Sequence, residues 1–243
     1  MRDRGFLDNY KYVFDPDGAY GGNQKAPRLD PSKYASIVRK HFPDHTDEQV
    51  SKCLDLIETE GCGYVALINT VFLRFYGEEE KFRQIFRYPM FTEDGKLNFN
   101  DLIVDFYCAT DNHNRQFIFD TVSYTEDRDY PNGYGTTTDS REWRFESYMR
   151  NHNVRVDVRD IIIFPKHVDL QLRDGPIIAG VRPMAMYDKD GNVTDNSQGG
   201  HAVIVTGKGD NGLIRVSSWG QECYIKPGTY KMHENYQQVI YKN

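Results

Sequence analysis

The sequence is poor in the features that most quickly assign a chain to a class. Its 243 residues hold four cysteines, Cys53, Cys62, Cys108 and Cys223. No two form a CxxC pair and their spacing suggests no disulfide ladder, so a reducing compartment is the simplest reading. Long apolar runs are missing too. Ile161-Ile162-Ile163-Phe164 is among the longest, far short of the roughly 20 residues that span a bilayer, so no membrane partner is expected. Positive charge is in deficit: 30 Lys and Arg against 36 Asp and Glu give a net charge of −6, which argues against a nucleic-acid partner. Asp3, Asp8, Asp15 and Asp17 stand where a signal peptide needs an apolar segment, so none is expected there. A cytoplasmic protein and a domain excised from a longer secreted one share this composition, and the location stays open.

What is present is enough for a packed core. Apolar residues make up 39% and charged residues 27%, the balance of a globular chain rather than a disordered tail. Residues 1–30, with DPDG at 15–18 and YGG at 20–22, read as an extended arm. The domain proper is expected over residues 31–243, helical to about residue 150 and β from about 154. Pro31 can open a helix carrying Tyr34, Ile37, Val38 and Phe42 at helical spacing. Thr46-Asp47-Glu48-Gln49 has the form of a capping box ahead of Val50, Cys53, Leu54 and Ile57. After a break at residues 59–63, Tyr64, Val65, Leu67, Ile68, Val71, Phe72 and Phe75 predict a helix apolar nearly all round, and therefore buried. Glu78-Glu79-Glu80 reads as a solvated face behind it. Residues 97–107 and 140–150 have helical spacing, the second carrying Trp143, Phe145 and Tyr148, with Arg141, Arg144 and Arg150 read as exposed charge. Residues 124–138 read as a Tyr- and Gly-rich loop.

From residue 154 the texture changes to strands: Val154, Val156 and Val158 alternate with charge, and Ile161–Phe164, Pro176–Val181, His201–Thr206, Leu213–Ser217 and Tyr236–Tyr241 follow. Residues 188–192 and Asp210-Asn211-Gly212 read as turns. Helices in the first half and an antiparallel sheet in the second make an α+β fold.

The chemistry converges on Cys62. It stands between Gly61 and Gly63 at the mouth of the buried helix, where free N–H groups and the helix dipole favour a thiolate. The flanking glycines let the chain turn and a substrate approach. A nucleophilic cysteine needs a base, and His201, after Gly199-Gly200 and opening the strand Ala202–Val205, is the candidate. The return strand leads into Ser217-Ser218-Trp219-Gly220; Ser217 is expected to orient the imidazole, and Trp219 to shield that bond.

Gly199-Gly200-His201-Ala202-Val203 and Ser217-Ser218-Trp219-Gly220, with the strand after Gly175-Pro176, resemble the histidine and asparagine motifs of papain-like cysteine peptidases. Cys62 precedes His201 by 139 residues, inside the roughly 130–150 window of such enzymes. The cysteine motif Gly61-Cys62-Gly63-Tyr64 resembles the single Cys-Gly start of bacterial peptidases that process bacteriocin leaders. The resemblance implies a papain-like fold, a Cys62–His201–Ser217 catalytic set, a substrate site near Gly61, Gly63, Gly200 and Trp219, and acyl transfer from a protein or peptide amide by a thiolate–imidazolium pair. It implies no cofactor, and an inhibitor or immunity protein as a candidate partner if this is a bacterial toxin domain. Ser217 stands where the family has asparagine. The family's glutamine before the cysteine is missing; Gln24 is a remote substitute, more simply a solvated loop residue. A glutamine deamidase or transglutaminase-like acyltransferase, and a peptidase-like binding module without turnover, are the alternatives.

Other signals are weak. His41 and His45 are separated by Pro43-Asp44 and read as loop residues, and no HExxH is present, so no metal is expected. Asp188–Asn192 has its glycine too early for a calcium loop.

Overall fold

The computed structural model describes residues 5–110 and 136–242. The loop expected over 124–138 therefore lies largely outside the described residues. The helices are α1 (Gly5–Asp8), α2 (Tyr10–Val13), α3 (Pro31–His41), α4 (Asp47–Glu60), α5 (Cys62–Phe75), α6 (Glu79–Phe86), α7 (Phe99–Thr110), α8 (Thr138–Asn151) and α9 (Val168–Gln171). The strands are β1 (Arg155–Ile161), β2 (Ile177–Arg182), β3 (Met184–Tyr187), β4 (Val193–Ser197), β5 (His201–Lys208), β6 (Ile214–Ser218), β7 (Gln221–Ile225) and β8 (His233–Lys242). The chain is α+β: helices fill the N-terminal half, and one eight-stranded antiparallel sheet, in the order β1-β8-β2-β5-β6-β7-β3-β4, fills the C-terminal half.

Local chemistry accounts for the helix boundaries. The Thr46 hydroxyl accepts from Gln49 N–H at 3.3 Å, and the Gln49 side chain accepts from Thr46 N–H at 2.8 Å, closing the capping box. Thr137 and Ser140 form a second such box at the start of α8. The glutamate run does not merely trail the buried helix. It opens α6, which buries Phe82 and Phe86 and keeps Glu80 and Arg83 paired outside.

The sheet is covered on both sides. On one face Ile178, Ala202, Ile204 and Val239 join the core of α3–α8. On the other, Ala179, Val181, Val203 and Val205 pack with Val168, Leu172 and Met186. Burial on both faces is why β2 and β5 read as continuous apolar runs rather than alternating ones. The strand expected over Ile161–Phe164 stops at Ile161, and the chain leaves the sheet with Ile162 and Phe164 exposed.

Two further expectations change. Within the described part of the expected extended arm, residues 5–30, Val13, Phe14, Tyr20 and Gln24 are buried, and Phe14 bridges Tyr20. Arg141 and Arg144 are not exposed helix charge, being 2% and 1% exposed. They lie at i and i+3 on the face that also buries Phe145 and Tyr148.

Candidate active site

Helices α4 and α5 meet at Gly61 with an 85° bend. A Cβ on Gly61 would run into the Ile57 carbonyl, and one on Gly63 into the Thr136 hydroxyl. Both glycines are thus fixed by close packing of the chain on itself. The bend makes Cys62 the first residue of a 14-residue buried helix, where the leading N–H groups lack intrahelical partners. Helix α5 runs beneath β5, which brings the Ala202 N–H near enough to the Cys62 sulfur to favour its thiolate.

His201 opens β5. Its ring is 8% exposed, Nε2 lies 2.7 Å from Ser218 Oγ, and the Trp219 indole stacks on it at 4.6 Å and 21°. The other ring nitrogen, Nδ1, makes no hydrogen bond among the described residues. The expectation that Ser217 orients the imidazole is corrected. Successive strand residues face opposite sides of a sheet. Ser217 turns towards α5, where its hydroxyl donates to the Tyr20 carbonyl and it flanks Gly21 beside Asn69. Ser218 takes the side of His201. The two-residue turn that follows holds Trp219 at φ +51° and Gly220 at φ +74°, left-handed values that carry the indole back over the imidazole.

Cys62 and His201 line one cleft of about 780 Å³, with Gly200, Arg141, Asp160 and Asn235 also among its walls. Gly61, Gly63 and Trp219, expected at a substrate site, do not line it. No hydrogen bond joins the Cys62 sulfur to the imidazole. Arg141, Asp160 and Asn235 were missed from sequence. The shared face with Phe145 and Tyr148 was the available signal for Arg141; nothing marked the other two, which reach the cleft from β1 and β8 only once those strands pair.

Burial dominates the electrostatics. It pushes the Cys62 thiol up, against the Ala202 N–H, the Arg141 cation and the Gly63 N–H, which pull it down, while Glu60 adds to the rise. Burial drives His201 down to about 4. At neutral pH the pair rests as thiol and neutral imidazole, so the chemistry open to it is base-assisted attack rather than attack by a preformed thiolate–imidazolium pair. Gln24 is 6% exposed rather than solvated, and its amide N–H donates to the Glu58 carbonyl at 2.6 Å. Among the described residues no group of three or more His, Cys, Asp or Glu side chains is placed to hold a metal ion. His41 ends α3 and bonds to Asp105 at 2.9 Å.

Set beside known proteins, the chain matches no family model, and no curated protein sequence matches it.

Proposed function

We propose that the protein is a papain-like thiol hydrolase acting on a peptide or isopeptide amide, with Cys62 as nucleophile, His201 as base and Ser218 as the group that orients the base. The observation that carries this reading is the cleft shared by Cys62, at a helix start, and His201, whose far nitrogen is held by a buried hydroxyl. In this reading the Cys62 sulfur attacks the amide carbonyl carbon as its proton crosses the shared cleft to Nδ1 of His201, whose ring stands with Ser218 on the face of β5 away from α5. A C–S bond forms and the carbonyl π pair moves to oxygen, facing the free N–H groups at the start of α5. Collapse breaks the C–N bond, and the imidazolium returns its proton to the departing amine. Water, activated by the neutral imidazole, then cleaves the thioester and regenerates the thiol.

A thiol-directed probe bearing an amide-substrate backbone tests this: it labels Cys62, and His201→Ala abolishes labelling. Ammonia release without chain cleavage would move the assignment to a deamidase. The absence of a hydrogen bond between Cys62 and His201 favours the second reading, a binding module without turnover, and that reading gains if neither the native protein nor any variant reacts.

A further inference from the structure

We propose that Arg141 is a specificity residue that receives a carboxylate of the substrate beside Cys62. The proposal rests on Cys62 being the nucleophile of this cleft and deepens that reading. Arg141 is 2% exposed yet stands in the cleft wall. Its guanidinium is held by neutral acceptors: Nε donates to Gln237 Oε1 at 3.1 Å, and Nη2 to Asn235 Oδ1 at 3.1 Å. The Gln237 amide is itself anchored on the Thr138 carbonyl at 3.1 Å, and Asn235 Oδ1 is shared with His233 at 2.9 Å. Space is cleared for the charge by Gly180, where a Cβ would stand 2.9 Å from Nη2.

Among the described residues no carboxylate reaches ion-pair distance of this cation, and Nη1 makes no hydrogen bond. Asp160 and the Cys62 sulfur act on it only across space. A buried cation without a counter-ion is costly unless something compensates it. Two further polar atoms in the same wall, Asn235 Nδ2 and Thr136 Oγ1, are buried without a hydrogen-bond partner, an arrangement rare in folded proteins unless a ligand completes it. A carboxylate suits donors of all three kinds, because it accepts several hydrogen bonds at once and brings the missing charge. Its source is either an acidic side chain near the scissile amide or a chain-terminal carboxyl.

The test compares two alkylating agents with the same leaving group, anionic iodoacetate and neutral iodoacetamide, followed by the mass of the Cys62 peptide at pH 9. Both need the thiolate, so the ratio of their rates is insensitive to the sulfur's own pKa and reports the charge beside it. Arg141→Gln lowers the iodoacetate-to-iodoacetamide ratio about tenfold, and Arg141→Lys keeps part of it. In the native protein, inorganic sulfate slows iodoacetate and leaves iodoacetamide unaffected, which decides the matter if the glutamine variant fails to fold. A ratio that ignores both Arg141 and sulfate overturns the proposal. Failure of Cys62 to react with either reagent overturns both the nucleophile and the anion site. A charge-dependent ratio in a protein with no amide turnover keeps the anion site and removes the hydrolase. Protection of Cys62 from iodoacetamide then separates the sources: trialanine with a free carboxyl end protects for a terminal carboxyl, an amidated peptide with a central glutamate protects for a side chain, and protection by neither overturns the proposal.

Discussion

His201 Nε2 lies 2.7 Å from Ser218 Oγ, while the adjacent Ser217 hydroxyl donates to the Tyr20 carbonyl on the other side of the strand. Two neighbouring serines therefore do separable work. On the proposed mechanism Ser218→Ala lowers kcat/KM about 10- to 100-fold, a smaller loss than removing the base itself, and it costs about 1–3 kcal/mol of stability because the buried Nε2 loses its partner. Ser217→Ala leaves a buried carbonyl without its donor and costs about 1–3 kcal/mol of stability, with kcat/KM nearly unchanged in the fraction that folds. Chemical denaturation and steady-state kinetics on the two variants check both halves.

Acid sensitivity follows from His201. Its folded pKa, about 4, lies below the 6.5 of a free histidine. As pH falls from 6.5 the unfolded chain takes up the proton first, so stability full above 6.5 is lost progressively as pH drops towards 4. If the protein cleaves an amide as proposed, the rate holds over the same range and falls only near pH 4, where the folded imidazole protonates. Imidazole NMR titration and a pH–rate profile measure the two limbs separately; an acid limb at ordinary histidine values would contradict the burial described for the ring.

Trp219 is the lid on that imidazole. Trp219→Ala admits water to the ring, and the His201 pKa rises from about 4 towards its ordinary 6.5. The acid limb of the pH–rate profile moves up with it. An unchanged histidine titration would mean that the strands, not the indole, bury the ring.

Away from the cleft, Asp105 is a buried carboxylate that accepts from Lys40 at 2.7 Å, His41 at 2.9 Å, Tyr88 at 3.0 Å and Tyr148 at 2.6 Å. Burial alone would raise its pKa, but bonds from His41, Lys40 and Tyr148 hold it well below the usual carboxylate range. Its stabilisation is present above pH ~4 and is lost below that as the carboxylate protonates. Asp105→Ala leaves the buried Tyr148 hydroxyl and the partly buried His41 and Tyr88 without their acceptor, while half-exposed Lys40 turns to water, and costs about 3 kcal/mol, read as a lowered denaturation midpoint. Cys62 alkylation by iodoacetamide in the folded fraction stays near the native rate.

Much of this architecture was legible in the residues. Thr46 and Gln49 announced α4, the all-round apolar pattern from Tyr64 to Phe75 announced a buried helix, and the β5 run fell where expected. What was not legible depends on long-range pairing. Choosing Ser218 over Ser217 requires the register of β6 on β5, which shifts between Val205 and Gly207 and so cannot be counted across the turn. Arg141 is buried because its helical phase, shared with Phe145 and Tyr148, outweighs the exposure its charge alone suggests. The burial of the segment before Pro31 is not legible because Gly- and Asp-rich sequence signals turns but not burial, and Gly21 is placed only by what it meets, Asn69 and Ser217.

Strand β8 is the eighth in sequence but stands second in the sheet, between β1 and β2, and supplies Asn235 to the cleft. Until it has been synthesised, β1 has no neighbour in the sheet and the guanidinium of Arg141 has neither of its side-chain acceptors. A growing chain emerging from the ribosome therefore carries Cys62 without a finished pocket around it until β8 has been made.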